Sequence, residues 1–480
     1  MLRTLFTDDS SMKKSDKLIN FIKGLIILVL AALIVVGLDR LLLLKSEDGI
    51  SQLKSVRKQK TNSVDVIFCG SSHVYCDIAT GVLWDNYGIA SFDLGGAEAP
   101  AWVTYYQLKD ALKNQKPKLV CYEVAVAAMY PMLTQVDSWA ADNNYGMSIS
   151  KDRYEQLKVN SEEKELSKRL LPLGIMHSRY SDLCEDDFKD ENNTIEYKGF
   201  DPRERIYPME RQEFSTSSDA EPCSEKAEEY IRKIIDLCKE NDISLMFFVS
   251  PYRDDDEERK ICNYIGMIAN ESNIPYINYN DCIDDIGLDV GWDFHDSTHL
   301  NFYGNYKFSD YLGKTLQNQY NIADHRGDDN YKSWEIDAYK QRMERNDNNL
   351  AIAQRDPTEF MKNITPQGYD VFVTIKYGAN EGLDSDRSQL LESIGIPVEK
   401  QLSGSSYIIR DGCIISEITN KGRASVCDED MTLLYVTEGQ GDEPSTVSLF
   451  VADDEYKEYY DNLLFVYDYV NNKYVNKVIF

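Results

Sequence analysis

Two short stretches, about 220 residues apart, carry side chains that together could activate a hydroxyl group. The first is Gly70-Ser71-Ser72-His73, which follows the apolar, β-branched run Val64 to Phe68. The second is His295-Asp296-Ser297-Thr298-His299-Leu300-Asn301, which precedes the helically periodic segment Phe302 to Leu312. A serine hydroxyl is a poor nucleophile until a base takes its proton, and an imidazole base needs a partner to fix its tautomer. Asp296 and His299 supply both from one segment, because Asp-x-x-His on a turn lets the carboxylate curl back to the ring. Three of the five histidines, His73, His295 and His299, fall in these two stretches. His295 and His299 also have a zinc-like i, i+4 spacing, but they precede the helix and no Glu stands between them. No metal and no cofactor is expected.

Such residues act only if the fold brings them to one place. Val64 to Phe68 stops at Gly70, as a buried parallel strand does at the carboxyl edge of its sheet, where open α/β folds bind ligands. Similar runs recur at Ile89 to Leu94, Leu119 to Val124, Ile243 to Val249 and Ile274 to Tyr279, with helical stretches such as Trp102 to Leu112 and Glu225 to Cys238 between them. This alternation predicts an α/β domain with a parallel sheet covered by helices on both faces. Ser71, Ser72 and His73 would then stand at its chemical edge.

Gly70-Ser71-Ser72 and Asp296 to His299 resemble the first and last blocks of the SGNH (GDSL-like) hydrolase superfamily, with Ser71 in place of the usual Asp. The resemblance covers roughly residues 60 to 320. It implies a flavodoxin-like three-layer parallel sheet, Ser72 as nucleophile, His299 as base and Asp296 as its orienter. Asp93-Leu94-Gly95-Gly96 stands where the family donates a glycine N–H to the oxyanion, so the hole would comprise Ser72, Gly95 and Gly96. The third block departs from the pattern, since the strand around Lys118 to Val124 ends in Glu123 with no asparagine. The closer likeness is to cell-envelope acyltransfer proteins of the DltD and alginate O-acetylation types. That likeness implies a multispanning membrane acyltransferase as partner.

Residues 130–220 lose the strand pattern and read as an insertion over the sheet edge, with a helical patch at Lys151 to Leu170. The aromatic and basic mixture at Tyr197 to Tyr207 fits a substrate lid or a solvated loop equally well. Arg253, after the fourth strand, could meet an acidic group of the substrate or pair with Asp254-Asp255-Asp256 beside it, and His73 is a second candidate substrate contact. The α/β domain is expected over 63–323, a charged helical linker over 324–365, and a β-rich α+β accessory domain over 366–480. The ending from Asn462 resembles the interleukin-like EMT-inducer domain, which implies sugar or partner binding.

At the other end, Leu18 to Leu44 is apolar apart from Asn20, Lys23, Asp39 and Arg40, and is long enough to cross a bilayer. No small-residue cleavage site follows it. The expectation is a cytoplasmic tail over 1–17, a single transmembrane anchor over 18–44 and a juxtamembrane linker over 45–62. Lysines and arginines balance on its two sides, so the extracytoplasmic placement rests on the short N-terminal tail and on the resemblance. A formal net charge of −29 disfavours nucleic acid and anionic membrane surfaces as direct partners of the soluble part. The ten cysteines show neither a disulfide framework nor a zinc pattern, and Cys69 and Cys121 read as core thiols. Together these readings predict a membrane-anchored serine esterase or O-acyltransferase acting on acyl esters of a cell-surface glycan. The alternative is an inactive envelope scaffold or glycan-binding protein that recruits a membrane acyltransferase.

Overall fold

The structure is a computed structural model that describes residues 9–43, 49–129, 135–188, 197–353, 356–365, 367–375, 383–403, 405–419, 422–428, 431–438, 446–451, 454–458 and 462–480. Residues 1–8 of the expected cytoplasmic tail, Leu44 of the expected anchor, the start of the expected linker and parts of the insertion therefore lie outside the described residues. The chain divides into two units, Met1–Trp334 and Glu335–Phe480.

The first unit is built on five strands: β1 (Val66–Gly70), β2 (Ser91–Gly95), β3 (Leu119–Glu123), β4 (Ser244–Val249) and β5 (Tyr276–Asn278). All neighbours are parallel, in the order β2-β1-β3-β4-β5. This is the flavodoxin-like doubly wound order, whose switch point lies between β1 and β3. Strands buried on both faces need apolar runs rather than alternation, and β1, β2 and β3 are buried at every residue. On one face, Phe68, Cys121, Met246 and Phe248 pack with Tyr279, Leu300, Phe308 and Leu312, so the segment carrying His299 is part of the core. Cys69 and Cys121 are buried free thiols.

The helix Asp9–Leu42 contains a 25-residue stretch, Leu18–Leu42, that is long and apolar enough to cross a membrane. The chain beyond it is not a linker. Residues 50–58 form a helix in which Ile50, Leu53 and Val56 are buried, because they make one apolar stripe at helical spacing. Leu42 and Ile50 share a small core with Ala141, Tyr145 and Met176 of the insertion. The expected helical patch at 151–170 is two helices, Lys151–Val159 and Glu163–Arg169. They separate at Asn160, whose amide is buried between Trp102 Nε1 and Gln135 Oε1.

The second unit has two antiparallel sheets. One is ordered β14-β13-β6-β7-β8 and the other β12-β11-β10-β9. Their strands are β6 (Tyr369–Ile375), β7 (Ser405–Arg410), β8 (Cys413–Thr419), β9 (Gly422–Asp428), β10 (Met431–Glu438), β11 (Thr446–Val451), β12 (Asp454–Glu458), β13 (Leu463–Asp468) and β14 (Lys473–Ile479). The expected charged linker also reads differently here. Met343 and Leu350, seven apart on the helix Lys332–Ala353, join Phe360, Met361, Val371, Val373, Leu464 and Val466 in one core. Charge on the outer face of that helix had hidden a narrow apolar seam.

Candidate active site

At the end of β1 the chain must turn sharply into the helix Ser72–Asp77. Gly70 has φ +148°, and a Cβ there would lie 2.9 Å from both the carbonyl oxygen and the Cβ of Glu123, so only glycine fits. Ser71 is the extended N-cap residue and Ser72 the first helical residue, where backbone N–H groups precede the first intrahelical bond. Ser72 Oγ lies 2.7 Å from His299 Nε2. On the far side of that ring, Nδ1 is 3.1 Å from each oxygen of Asp296 and 3.0 Å from Thr298 Oγ1. Serine, imidazole and carboxylate are therefore in sequence, each within reach of the next.

The base segment is held from several directions. Phe294 and Leu300 form an antiparallel bridge, and the His295 N–H donates to the His299 carbonyl at 2.8 Å. Asn301 caps the helix Phe302–Tyr320 by accepting from the N–H groups of Tyr303 and Gly304. Asp77, at the end of the serine helix, accepts from the Leu300 N–H at 2.8 Å, which ties the two halves of the site directly. Arg253 N–H donates to the Ser297 carbonyl at 2.9 Å. Its guanidinium pairs with Glu213 at 2.8 Å rather than with the neighbouring aspartates, so it is already engaged. His295 faces Arg205, accepting its N–H on Nδ1, and stands apart from the His299 ring.

Asp296 Oδ1 accepts from the N–H groups of Thr298 and His299 and from the Thr298 hydroxyl. Burial alone would raise this carboxyl, but its hydrogen bond to His299, that ring's charge and the Thr298 donors hold it well below the usual carboxylate range. His299 is lowered, chiefly by burial and further by the charge of His73, against the opposing pull of Asp296. A lowered imidazole is neutral at neutral pH and able to accept a proton.

His73 does not face a substrate. It is 2% exposed, edge-on to the His299 ring at 5.4 Å between centroids and 5.1 Å from Tyr252. Its Nδ1 is 3.5 Å from Glu123 Oε1; burial would lower it, but the Glu123 carboxylate raises it on balance. Glu123 also accepts from Ser71 Oγ at 3.3 Å and from the Ala125 N–H at 3.0 Å. The two departures from the family pattern, Ser71 and Glu123, thus bond to each other.

The turn after β2 packs against the serine turn. A Cβ on Gly95 would come within 2.5 Å of the Ser71 carbonyl oxygen, so this backbone approach needs glycine. Gly96 differs from expectation, because its N–H donates to the Gly70 carbonyl at 3.3 Å. An asparagine does stand here, but from the insertion. Asn143 donates through Nδ2 to the Ala97 carbonyl at 2.8 Å and accepts from Gln107 on Oδ1, so it braces the turn. Gln135 adds donations to the carbonyls of Ala97 and Glu98. These buried amides carry no local sequence signal and were missed, whereas Thr298 lies inside the recognised stretch. Only the start of the aromatic and basic segment after Tyr197 is packed away, whereas Glu204 and Arg205 stay exposed. Lys198 and Phe200 are buried, and the Lys198 carbonyl accepts from the Asp93 N–H at the edge of β2.

Among the described residues, no group of three or more His, Cys, Asp or Glu side chains is placed to hold a metal ion. No family model matches the chain, and no curated protein matches it. Among solved structures, it is similar to one described as a "putative acylhydrolase" from Bacteroides fragilis, at 11% identity and a TM-score of 0.29, covering 56% of this chain and 94% of that one. So slight a likeness carries neither a fold nor a function to this chain.

Proposed function

We propose that this chain is a membrane-anchored serine esterase or O-acyltransferase of the SGNH type, acting on acyl esters of cell-surface polysaccharide. The observation that carries the reading is the continuous hydrogen-bonded series Ser72 Oγ, His299 and Asp296 at the switch point of the sheet. Ser72 Oγ attacks the acyl carbon as its proton passes to His299 Nε2, and Asp296 holds the proton on Nδ1. The tetrahedral oxyanion is held by the Ser72 N–H together with Gly95 in the adjoining turn. His299 then protonates the departing alcohol. Water, or a sugar hydroxyl in the transferase case, discharges the acyl-serine by the same route in reverse. Leu18–Leu42 keeps the domain at the bilayer, and its outward placement and a multispanning acyltransferase partner belong to the same reading.

The test is labelling with a fluorophosphonate probe. Native protein and Ser71→Ala should label, and Ser72→Ala should not. Labelling that survives Ser72→Ala would overturn the assignment, and a native protein that never labels would favour the inactive scaffold.

A further inference from the structure

The carboxyl end of the long apolar helix does not simply emerge from its span; it docks. Asp39 accepts the Leu173 N–H at 2.8 Å, and Arg179 donates to the carbonyls of Leu41 and Leu42, at 3.5 and 3.1 Å. Arg179 is in turn paired with Asp187. Residues next to these attachment points are apolar and exposed: Leu170 (42%), Leu171 (49%), Tyr180 (73%) and Phe188 (71%). The side chains of the span itself, such as Leu33 and Ile34, are similarly exposed, so exposed apolar side chains occur on the helix and again on residues 170–188, there interspersed with the polar His177, Ser178 and Asp182.

We propose that residues 170–188 form a collar that rests in the lipid headgroup–acyl boundary and fixes the height of the first unit over the bilayer. This inference rests on the reading that Leu18–Leu42 crosses the membrane. From Leu18 to Leu38 the helix rises about 31 Å at about 1.5 Å per residue, close to the roughly 30 Å of a hydrocarbon core. Asp39 therefore marks the boundary, and the Leu173 N–H bonded to it sets the collar at that level. Aromatic and leucine side chains are what such a boundary accommodates, with tyrosine presenting an apolar ring and a polar tip. A protein partner would need its own apolar surface at the same height. The bilayer already supplies one to the adjoining helix.

The full chain, reconstituted in nanodiscs of phosphatidylethanolamine and phosphatidylglycerol, tests this with p-benzoylphenylalanine placed in turn at Leu171, Tyr180, Leu33 and Met267. All four positions are exposed, so the replacements leave the core intact. Lipid adducts read by mass spectrometry should form at Leu33, Leu171 and Tyr180, several-fold above Met267 on the helix Asp256–Glu271. Adducts at Leu33 with only the Met267 background at Leu171 and Tyr180 would overturn the collar while leaving the span. Background at Leu33 as well would overturn the span and the collar with it.

Discussion

Asp296→Asn isolates what the carboxylate does for the base. Oδ1 carries the bonds that shape the loop, from the N–H groups of Thr298 and His299 and from the Thr298 hydroxyl, whereas Oδ2 faces His299 Nδ1. An asparagine that keeps its oxygen in the Oδ1 position preserves the loop and turns an N–H toward Nδ1. The imidazole then favours the tautomer with its proton on Nε2, which cannot accept from Ser72. Complete reversal of this kind costs about 10⁴ in kcat in serine proteases. Here Thr298 Oγ1, 3.0 Å from Nδ1, remains as an acceptor for the productive tautomer. The single variant should therefore lose only about 10² to 10³ in kcat/KM, roughly 3–4 kcal/mol of barrier. Asp296→Asn combined with Thr298→Val should approach the full 10⁴. The assay is hydrolysis of p-nitrophenyl acetate, with thermal melting to show that the loop is intact. An Asn variant within about threefold of the native rate, melting normally, would refute the role given to Asp296.

Three further outcomes are expected. Because burial, aided by His73, lowers His299, kcat/KM should hold at neutral pH and fall on acidification through a limb below 6.5 as the base takes a proton; His73→Gln should move that limb upward, and an unmoved limb would separate the two rings electrostatically. Gly95→Ala, whose new methyl would meet the Ser71 carbonyl oxygen at 2.5 Å, should lower the melting temperature and reduce kcat far more than KM; a variant with native kcat would remove this turn from the oxyanion site. A chain ending at Trp334 should be monodisperse by gel filtration once the membrane helix is also removed, whereas one ending at Thr365 should aggregate. The longer chain would retain Met343, Leu350, Phe360 and Met361 without their strand partners, each about 1.5–3 kcal/mol of lost burial. Equal behaviour of the two would contradict the packing of that helix.

The proximity of Ser72 to His299 was legible because each half of the site is local. A strand ending in glycine and a short Asp-x-x-His turn can both be read from neighbours in the chain, and the strand alternation says that they share an edge. The brace around the second turn was not legible. Asn143, Gln107 and Gln135 come from elements that meet only in three dimensions, and an amide has the same letter whether it is solvated or buried. Ile50, Leu53 and Val56 were overlooked because the polar Ser51, Gln52, Lys54 and Ser55 between them masked the stripe, although its spacing was visible. Glu123 was read as a defect of the pattern because its partner, Ser71, looked like a separate defect.

The docking of the apolar helix bears on how a substrate would be found. Leu42 and Leu43 on one side of residues 44–48, and Ile50 on the other, belong to the same packed cluster. The usual reach of a tether, which grows with the square root of its length, is thereby removed. On the proposed reading, a catalytic unit held in this way would encounter esters only within a thin shell, by lateral diffusion in two dimensions. Its working substrate level would be a surface density rather than a volume concentration, and solution kinetics on the same ester would understate its competence at the membrane.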